Sequence, residues 1–332
     1  MRFAKIFARS KHLSVAGQAD DGDVAIKRIM ELRPDIVLLD LLMPKMDGFG
    51  VLRWAMKNHP LPIIVCSSFS DRQRVFKALE LGAIDFILKP TPRATQMTSR
   101  LEEQMIQRVE EAASAKTPAD LKVNPDTKVA LLAAEGEARG AQVELICIAA
   151  STGGPAAIQK LVAALPQSLS APMVVVQHMP AGFTRPFAER LNAISHYTVR
   201  EARDQEPVKR KHLYVAPAGA QTTVRRADGG LALSVTVLAQ GSLHAPSADA
   251  LFESAAAATG GHLLAVVLTG MGEDGARGAE AVRGAGGHVI VESNESAVVF
   301  GMPRSVIERG CANAMLPLSA MPLVLLAYTF RE

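Results

Sequence analysis

No apolar run in this 332-residue chain reaches the ~18 to 20 residues a helix needs to cross a bilayer, so membrane insertion is not expected. Cysteine is sparse. Cys66, Cys147 and Cys311 are the three present, an odd number with no paired metal-ligand spacing. That count argues against a disulfide framework and points to a reducing cytoplasm. Two of the three lie inside apolar runs, where a cysteine behaves as a small core residue. An excess of one charge is lacking too: 36 Lys and Arg stand against 33 Asp and Glu, for a net charge of +3. Nothing in that balance supplies the basic footprint of a nucleic-acid binder. Hydrophobic residues make up 48% and charged residues 21%, a composition that packs cores, and the length fits two domains. The first twelve residues carry Arg2, Lys5, Arg9 and Lys11 without the continuous apolar stretch of a secretory leader. They read as part of a helix.

Alternation of short apolar runs with amphipathic segments dominates the first ninety residues. Strands are expected over 13–19, 35–40, 62–66 and 84–88, and helices over 21–32, 49–57 and 72–81. Ala25, Ile29 and Leu32 mark the apolar side of the first of these helices at i, i+4, i+7 spacing. Strands alternating with helices imply a parallel sheet. The loop Leu41-Leu42-Met43-Pro44-Lys45-Met46-Asp47-Gly48 carries strong turn signals. Three strand ends bear chemistry: Asp40, Ser67 and Lys89. A carboxylate, a hydroxyl and an ammonium on one sheet edge are suited to accept, sense and pair with a phosphoryl group. Any one of them alone would be an ordinary surface residue.

This region resembles the receiver domain of response regulators. Asp-Leu-Leu-Met-Pro-Lys-Met-Asp-Gly (40–48) matches that family's phosphoacceptor loop, and Leu-Gly-Ala-Ile-Asp-Phe-Ile-Leu-Lys-Pro (81–90) its carboxyl-terminal signature. The resemblance implies a flavodoxin-like fold with Asp40 as phosphoacceptor, Ser67 as switch hydroxyl and Lys89 as the phosphate-pairing lysine, fed by a sensor histidine kinase. Receivers open with an apolar strand ending in an acidic pair that holds magnesium, whereas this chain starts in what reads as the following helix. The resemblance thus implies a receiver lacking its first strand, with magnesium expected for phosphorylation but its acidic pair missing. Asp20-Asp21 follows the second strand and corresponds to a loop rather than to that pair. Phosphorylation at Asp40 is therefore not expected to switch this chain in the usual way. A misplaced start is favoured over receiver decay, because Asp40, Ser67 and Lys89 are all in place.

Residues 93–140 read as a connector. Residues 99–115 are rich in Glu, Gln and Arg and expected to be helical, while 117–126 hold prolines and small residues in linker composition. From residue 141 the alternation returns. The apolar run 145–150 leads into Ser151-Thr152-Gly153-Gly154-Pro155 and a helix over 156–165, with Pro155 suited to a first helical position. Ser151 thus sits on a strand-to-helix turn, where helix-start N–H groups favour developing negative charge. A second strand over 172–177 ends at His178-Met179-Pro180. A third over 263–268 runs into Thr269-Gly270-Met271-Gly272-Glu273-Asp274-Gly275. Strand-like runs over 212–215, 222–225 and 231–237, joined in part by a turn at 227–230, add an antiparallel hairpin to a mostly parallel domain. Residues 287–292 are read as its closing strand.

Ser151, His178 and Asp274 therefore lie at the ends of three strands. A serine needs a base to become a nucleophile, and the base needs a carboxylate to orient it and stabilise its cation. Taken singly, His178 fits a capping or core histidine and Asp274 a turn carboxylate beside glycines. With eight histidines, chance pairings exist. His196 and His212 lack a strand-end setting, His262 reads as a strand-entry residue, and His244 as a loop residue able to line a site.

Residues 147–310 closely resemble the catalytic domain of the chemotaxis protein-glutamate methylesterases, response regulators of the CheB type. The matching stretches are Ala-Ser-Thr-Gly-Gly-Pro, Val-Gln-His-Met-Pro-Ala-Gly-Phe-Thr, Leu-Thr-Gly-Met-Gly-Glu-Asp-Gly-Ala and Val-Phe-Gly-Met-Pro-Arg. The resemblance implies Ser151 as nucleophile, His178 as base and Asp274 as orienting carboxylate. It also gives the Met271 N–H to the oxyanion, with Thr152 in support. It implies hydrolysis of glutamate methyl esters, and deamidation of glutamines, on methyl-accepting chemoreceptors, with no cofactor for the esterase and no metal in the catalytic domain. Ala149, Ala245 and Ala220-Gln221 depart from the family pattern and bear on substrate contacts rather than the triad. The expected organisation is a receiver over 1–92, a linker over 93–140 and an α/β methylesterase domain over 141–332. A general α/β-hydrolase is a rival, but that fold orders its triad Ser, Asp, His, whereas the order here is Ser, His, Asp. A non-enzymatic signalling adaptor with a vestigial esterase is the other, against which the intact triad and glycine loops stand.

Overall fold

The structure, a computed structural model, describes residues 2–68, 70–89, 99–117, 143–238 and 245–329. The chain divides into two compact units, Met1–Leu121 and Lys122–Glu332.

The first unit runs α1 (Arg2–Phe7), α2 (Gly22–Leu32), β1 (Val37–Asp40), α3 (Gly48–Asn58), β2 (Ile63–Ser67), α4 (Arg72–Glu80), β3 (Asp85–Leu88) and α5 (Ser99–Ala113). Its strands form a parallel sheet in the order β1-β2-β3, with Asp40 opposite Cys66 and Ser67 opposite Leu88. Ile63, Ile64 and Val65 of the central strand are fully buried. Residues 13–19 do not form the strand expected of them, and their side chains are mostly exposed. Alternating residues make a strand only beside a partner ladder, and among the described residues nothing pairs with the outer edge of β1. Helix α5, placed with the connector on composition, packs on this unit: Val109 and Ala112 are buried and Arg108 Nε lies 3.4 Å from Asp85. The linker composition at 118–126 falls outside the described residues.

The second unit runs β4 (Leu145–Ala150), α6 (Gly154–Ala163), β5 (Met173–Gln177), α7 (Thr184–Ile194), β6 (Thr198–Glu201), β7 (His212–Val215), β8 (Ala220–Ala227), β9 (Gly230–Val237), α8 (Ala248–Thr259), β10 (Leu263–Val267), α9 (Ala276–Gly284), β11 (His288–Glu292), α10 (Gly301–Glu308), β12 (Ala314–Leu316) and α11 (Met321–Thr329). Seven parallel strands line up as β12-β11-β10-β4-β5-β7-β6, and β8 pairs antiparallel with β9 as a hairpin. Strand β11 does not close the sheet: β12 lies beyond it, and β6 forms the opposite edge. Both are three or four residues long, too short to announce themselves as apolar runs. The interior strands are buried on both faces, as parallel sheets require. Every residue of β4, β5 and β10 is buried. Chain order reverses at β4, which lies between β5 and β10, and open α/β sheets bind ligands at the carboxyl ends flanking such a switch point.

Candidate active site

The register places the catalytic candidates before any side chain is considered. Ala150 pairs with Gln177, so Ser151 and His178 leave adjacent strands one residue later. On the other side, Ala149 pairs with Val267, and Ser151 N–H donates to the Thr269 carbonyl at 3.1 Å. The turn after Ser151 is tight. Gly153 adopts φ +78°, and a Cβ there would lie 2.7 Å from Val298. A non-glycine residue in this left-handed conformation costs roughly 1–2 kcal/mol even with room to spare. Gly154 N–H donates back to the Ser151 carbonyl at 2.8 Å, and Pro155 takes the first turn of α6. Ser151 and Thr152 are buried.

His178 Nε2 and Asp274 Oδ2 are 2.8 Å apart. Asp274 is 5% exposed and sits at the amino end of α8, where Ser247 Oγ donates to it at 2.8 Å, Ala248 N–H at 2.7 Å and Asp249 N–H at 3.0 Å. Helix-start N–H groups and the helix dipole both favour an anion there. Burial pushes this carboxyl upward. The hydrogen bond and charge of His178, with the Asp249 and Ala248 N–H groups, outweigh it and hold the group well below the usual carboxylate range. An ionised Asp274 can only accept, so the His178 Nε2 facing it carries the proton.

Gln177 is a residue the sequence reading passed over. Its side-chain Nε2 donates to the Ser151 carbonyl at 2.9 Å and to the His178 carbonyl at 3.1 Å, clamping the two turns together. Thr269 ties the same turn from the other side. Its Oγ1 donates to the Thr152 carbonyl at 2.9 Å, and its N–H donates to the fully buried Glu292 at 2.7 Å. Gln221, one of the departures from the family pattern, accepts the Ser247 N–H at 2.7 Å and so supports the cap over Asp274. Ala149, another, is packed in the apolar core. Met271 follows Gly270, where a Cβ would stand 2.9 Å from that of Ser151. Among the other histidines, His212 Nδ1 lies 3.0 Å from the Arg210 carbonyl, and His244 falls outside the described residues.

In the first unit, Lys89 Nζ donates to Asp40 Oδ2, and Leu42 N–H donates to Asp40 Oδ1 at 3.0 Å. Ser67 is at the neighbouring strand end, but its hydroxyl donates to the Ser68 carbonyl at 3.3 Å. Burial, with the charge of Asp40, pushes the Cys66 thiol up to about 12 and makes it inert. Asp21 caps α2 by accepting the Val24 N–H at 3.0 Å and the Lys45 ammonium at 2.5 Å. Among the described residues no group of three His, Cys, Asp or Glu side chains gathers as a metal site. Asp21 and Asp40 each face a lysine, Lys45 and Lys89 respectively.

The family model described as CheB methylesterase matches residues 146–325, and that of the response regulator receiver domain matches 1–102. The chain belongs to the CheB methylesterase family. It is 37% identical to protein-glutamate methylesterase/protein-glutamine glutaminase 3 of Geobacter sulfurreducens, over 96% of this chain and 91% of that one. The Myxococcus xanthus protein-glutamate methylesterase/protein-glutamine glutaminase 1 is 40% identical over 96% and 90%. The crystal structure of the Thermotoga maritima CheB methylesterase catalytic domain aligns with a TM-score of 0.54 and 40% identity, covering 56% of this chain and 98% of that one. This CheB methylesterase family member joins a receiver to an α/β catalytic unit.

Proposed function

We infer that this chain is a receiver-linked protein-glutamate methylesterase and protein-glutamine glutaminase. Its substrates are γ-methyl glutamyl esters and glutamines on methyl-accepting chemoreceptors. The observation that carries the chemistry is the 2.8 Å contact between His178 and an Asp274 locked at a helix start. Ser151 Oγ attacks the γ-carbonyl while His178 Nδ1 takes its proton. The oxyanion forms toward the Met271 N–H, with Thr152 beside the nucleophile. His178 returns the proton to the departing methanol, or to ammonia in the deamidation, leaving an acyl-serine. Water activated by the same imidazole then releases glutamate and restores the serine. Asp274 stays ionised throughout and stabilises the imidazolium. No step calls on a metal or cofactor of the catalytic unit.

The receiver unit is the regulatory input, with Asp40 as phosphoacceptor, Lys89 as its cationic partner, Ser67 at the adjoining strand end and a sensor histidine kinase as donor. No helix among the described residues is long and apolar enough to cross a membrane. Three buried free cysteines support a cytoplasmic location.

Methanol release from a methyl-esterified chemoreceptor fragment tests this reading. Ser151→Ala should lower turnover by about 10⁶-fold with the melting temperature unchanged. Near-normal release from that variant would overturn the nucleophile assignment.

A further inference from the structure

Asp249 takes no part in the proton transfers above, yet it is bound into the site from both ends. Its backbone N–H donates to Asp274 Oδ1 at 3.0 Å. Its side-chain Oδ1 accepts the N–H of Gly275 at 2.9 Å and of Gly278 at 2.7 Å. Two helix starts therefore exchange carboxylates: Asp274, just before α9, caps α8, and Asp249, in the first turn of α8, caps α9. Gly275 has φ +99°, so no side chain of its own can serve as that cap. The helices also meet closely at Gly278, where a Cβ would lie 2.7 Å from that of Phe252. The Asp249 side chain is 15% exposed. Burial raises its carboxyl, helped by the charge of Asp274 and opposed by the Gly278 and Gly275 N–H groups and Arg277. The charges coupled to it are Asp274, Arg277 on α9 at 3.7 Å, Glu253 as the other partner of Arg277, and Arg309, whose own partners are Glu273 and Glu280.

We propose that Asp249 is a positioning residue for the reaction: it holds the glycine loop that carries Asp274, and its negative charge helps stabilise the His178 imidazolium through Asp274. The proposal rests on the Ser151–His178–Asp274 reading. Removing this anion takes negative charge away from beside Asp274 and makes the imidazolium that forms against Asp274 less favourable. The acidic limb of kcat/KM, which reports the free base, must then move down.

The test uses the full 332-residue protein, methanol release from a methyl-esterified receptor fragment, and rate profiles between pH 5 and 9. Asp249→Asn keeps an oxygen for the two glycine N–H groups but removes the charge. Its acidic limb should shift down by about half a pH unit, with KM little changed. Asp249→Ala loses the cap as well, and kcat should fall on the order of 100-fold. An Asp249→Asn profile that overlays the parent overturns the electrostatic half of the proposal. A folded Asp249→Ala protein with parental kcat overturns the positioning half. Ser151→Ala is the control: if it stays active, the triad reading itself has failed, whereas if it is dead and both Asp249 variants match the parent, only the present inference has.

Discussion

The Ser151 turn and the Asp40 loop are both strand-end sites on parallel sheets, and they are held in opposite ways. Strand β4 before Ser151 is paired on both sides, by β10 and β5. Strand β1 before Asp40 is paired, among the described residues, only with β2. The side chains of Asp274 and His178 are 3% and 12% exposed, those of Asp40 and Lys89 35% and 36%. An ion pair that water reaches is worth ~0–1 kcal/mol, whereas stripping partners from a buried carboxylate costs several. Placement at a strand end thus marks where chemistry can occur. Burial and the number of donors decide whether the group is fixed in one geometry or left free to change partners. The catalytic centre has the first character. A phosphoacceptor, whose carboxylate must become an acyl phosphate while its lysine shifts to the new phosphoryl oxygens, suits the second.

The hardest blow to that contrast is delivered at the triad. His178→Ala should match the loss of the nucleophile, about 10⁶-fold in turnover, and Asp274→Asn should cost about 10⁴-fold because the imidazole loses its tautomer and its counter-charge. Methanol release measures both, and an Asp274→Asn enzyme within tenfold of the parent would mean that the buried carboxylate is only a helix cap. Gln177→Leu comes next. It removes the amide that joins the Ser151 and His178 carbonyls, so kcat should drop on the order of 100-fold with KM nearly constant. A rise in KM alone would place Gln177 in substrate binding instead.

Acid stability gives a smaller effect. Because the folded carboxyl of Asp274 lies below its ordinary value of 3.8, its stabilisation is complete above that pH and fades as pH falls toward the folded value. The parent should melt higher than Asp274→Asn at pH 7, with the gap narrowing from pH 4 to pH 2. A constant gap would contradict the assignment. The smallest change is expected at the exposed pair. Lys89→Met should alter stability by no more than ~1 kcal/mol in urea unfolding, and a larger loss would mean that the Asp40 pair is as rigidly built as the triad.

Most of the two sheets was readable because parallel strands are short, continuous apolar runs, and several lead into residues with chemistry: Asp40, Ser67, Lys89, Ser151, His178 and the glycine loop holding Asp274. What escaped was non-local. Residues 13–19 alternate like a strand, but pairing depends on a neighbour that no window of sequence contains. Strands β6 and β12 are edge strands of three or four residues, defined by their ladders rather than by hydrophobicity. Helix α5 was legible as a helix but grouped with the connector, because its charged residues outnumber the few, such as Val109 and Ala112, that it buries. The donors to Asp274 come from Ser247, Ala248 and Asp249, some 25 residues upstream, and two of the three are backbone groups with no residue signature. Gln177 was inside a quoted motif, but only the register shows that its amide faces both catalytic turns.

The Gly154 contact constrains how this site can vary. A Cβ at position 154 would fall 2.1 Å from Gln177 Oε1 and 2.8 Å from the Ala150 Cβ. A side chain at 154 therefore has to displace the Gln177 amide and meets the Ala150 Cβ as well. Shortening 177 would loosen the clamp but leave the Ala150 contact in place, while enlarging 154 also pushes the Gln177 amide from the carbonyls it holds. Active variants should therefore keep Gly154, and keep it whether or not residue 177 is shortened.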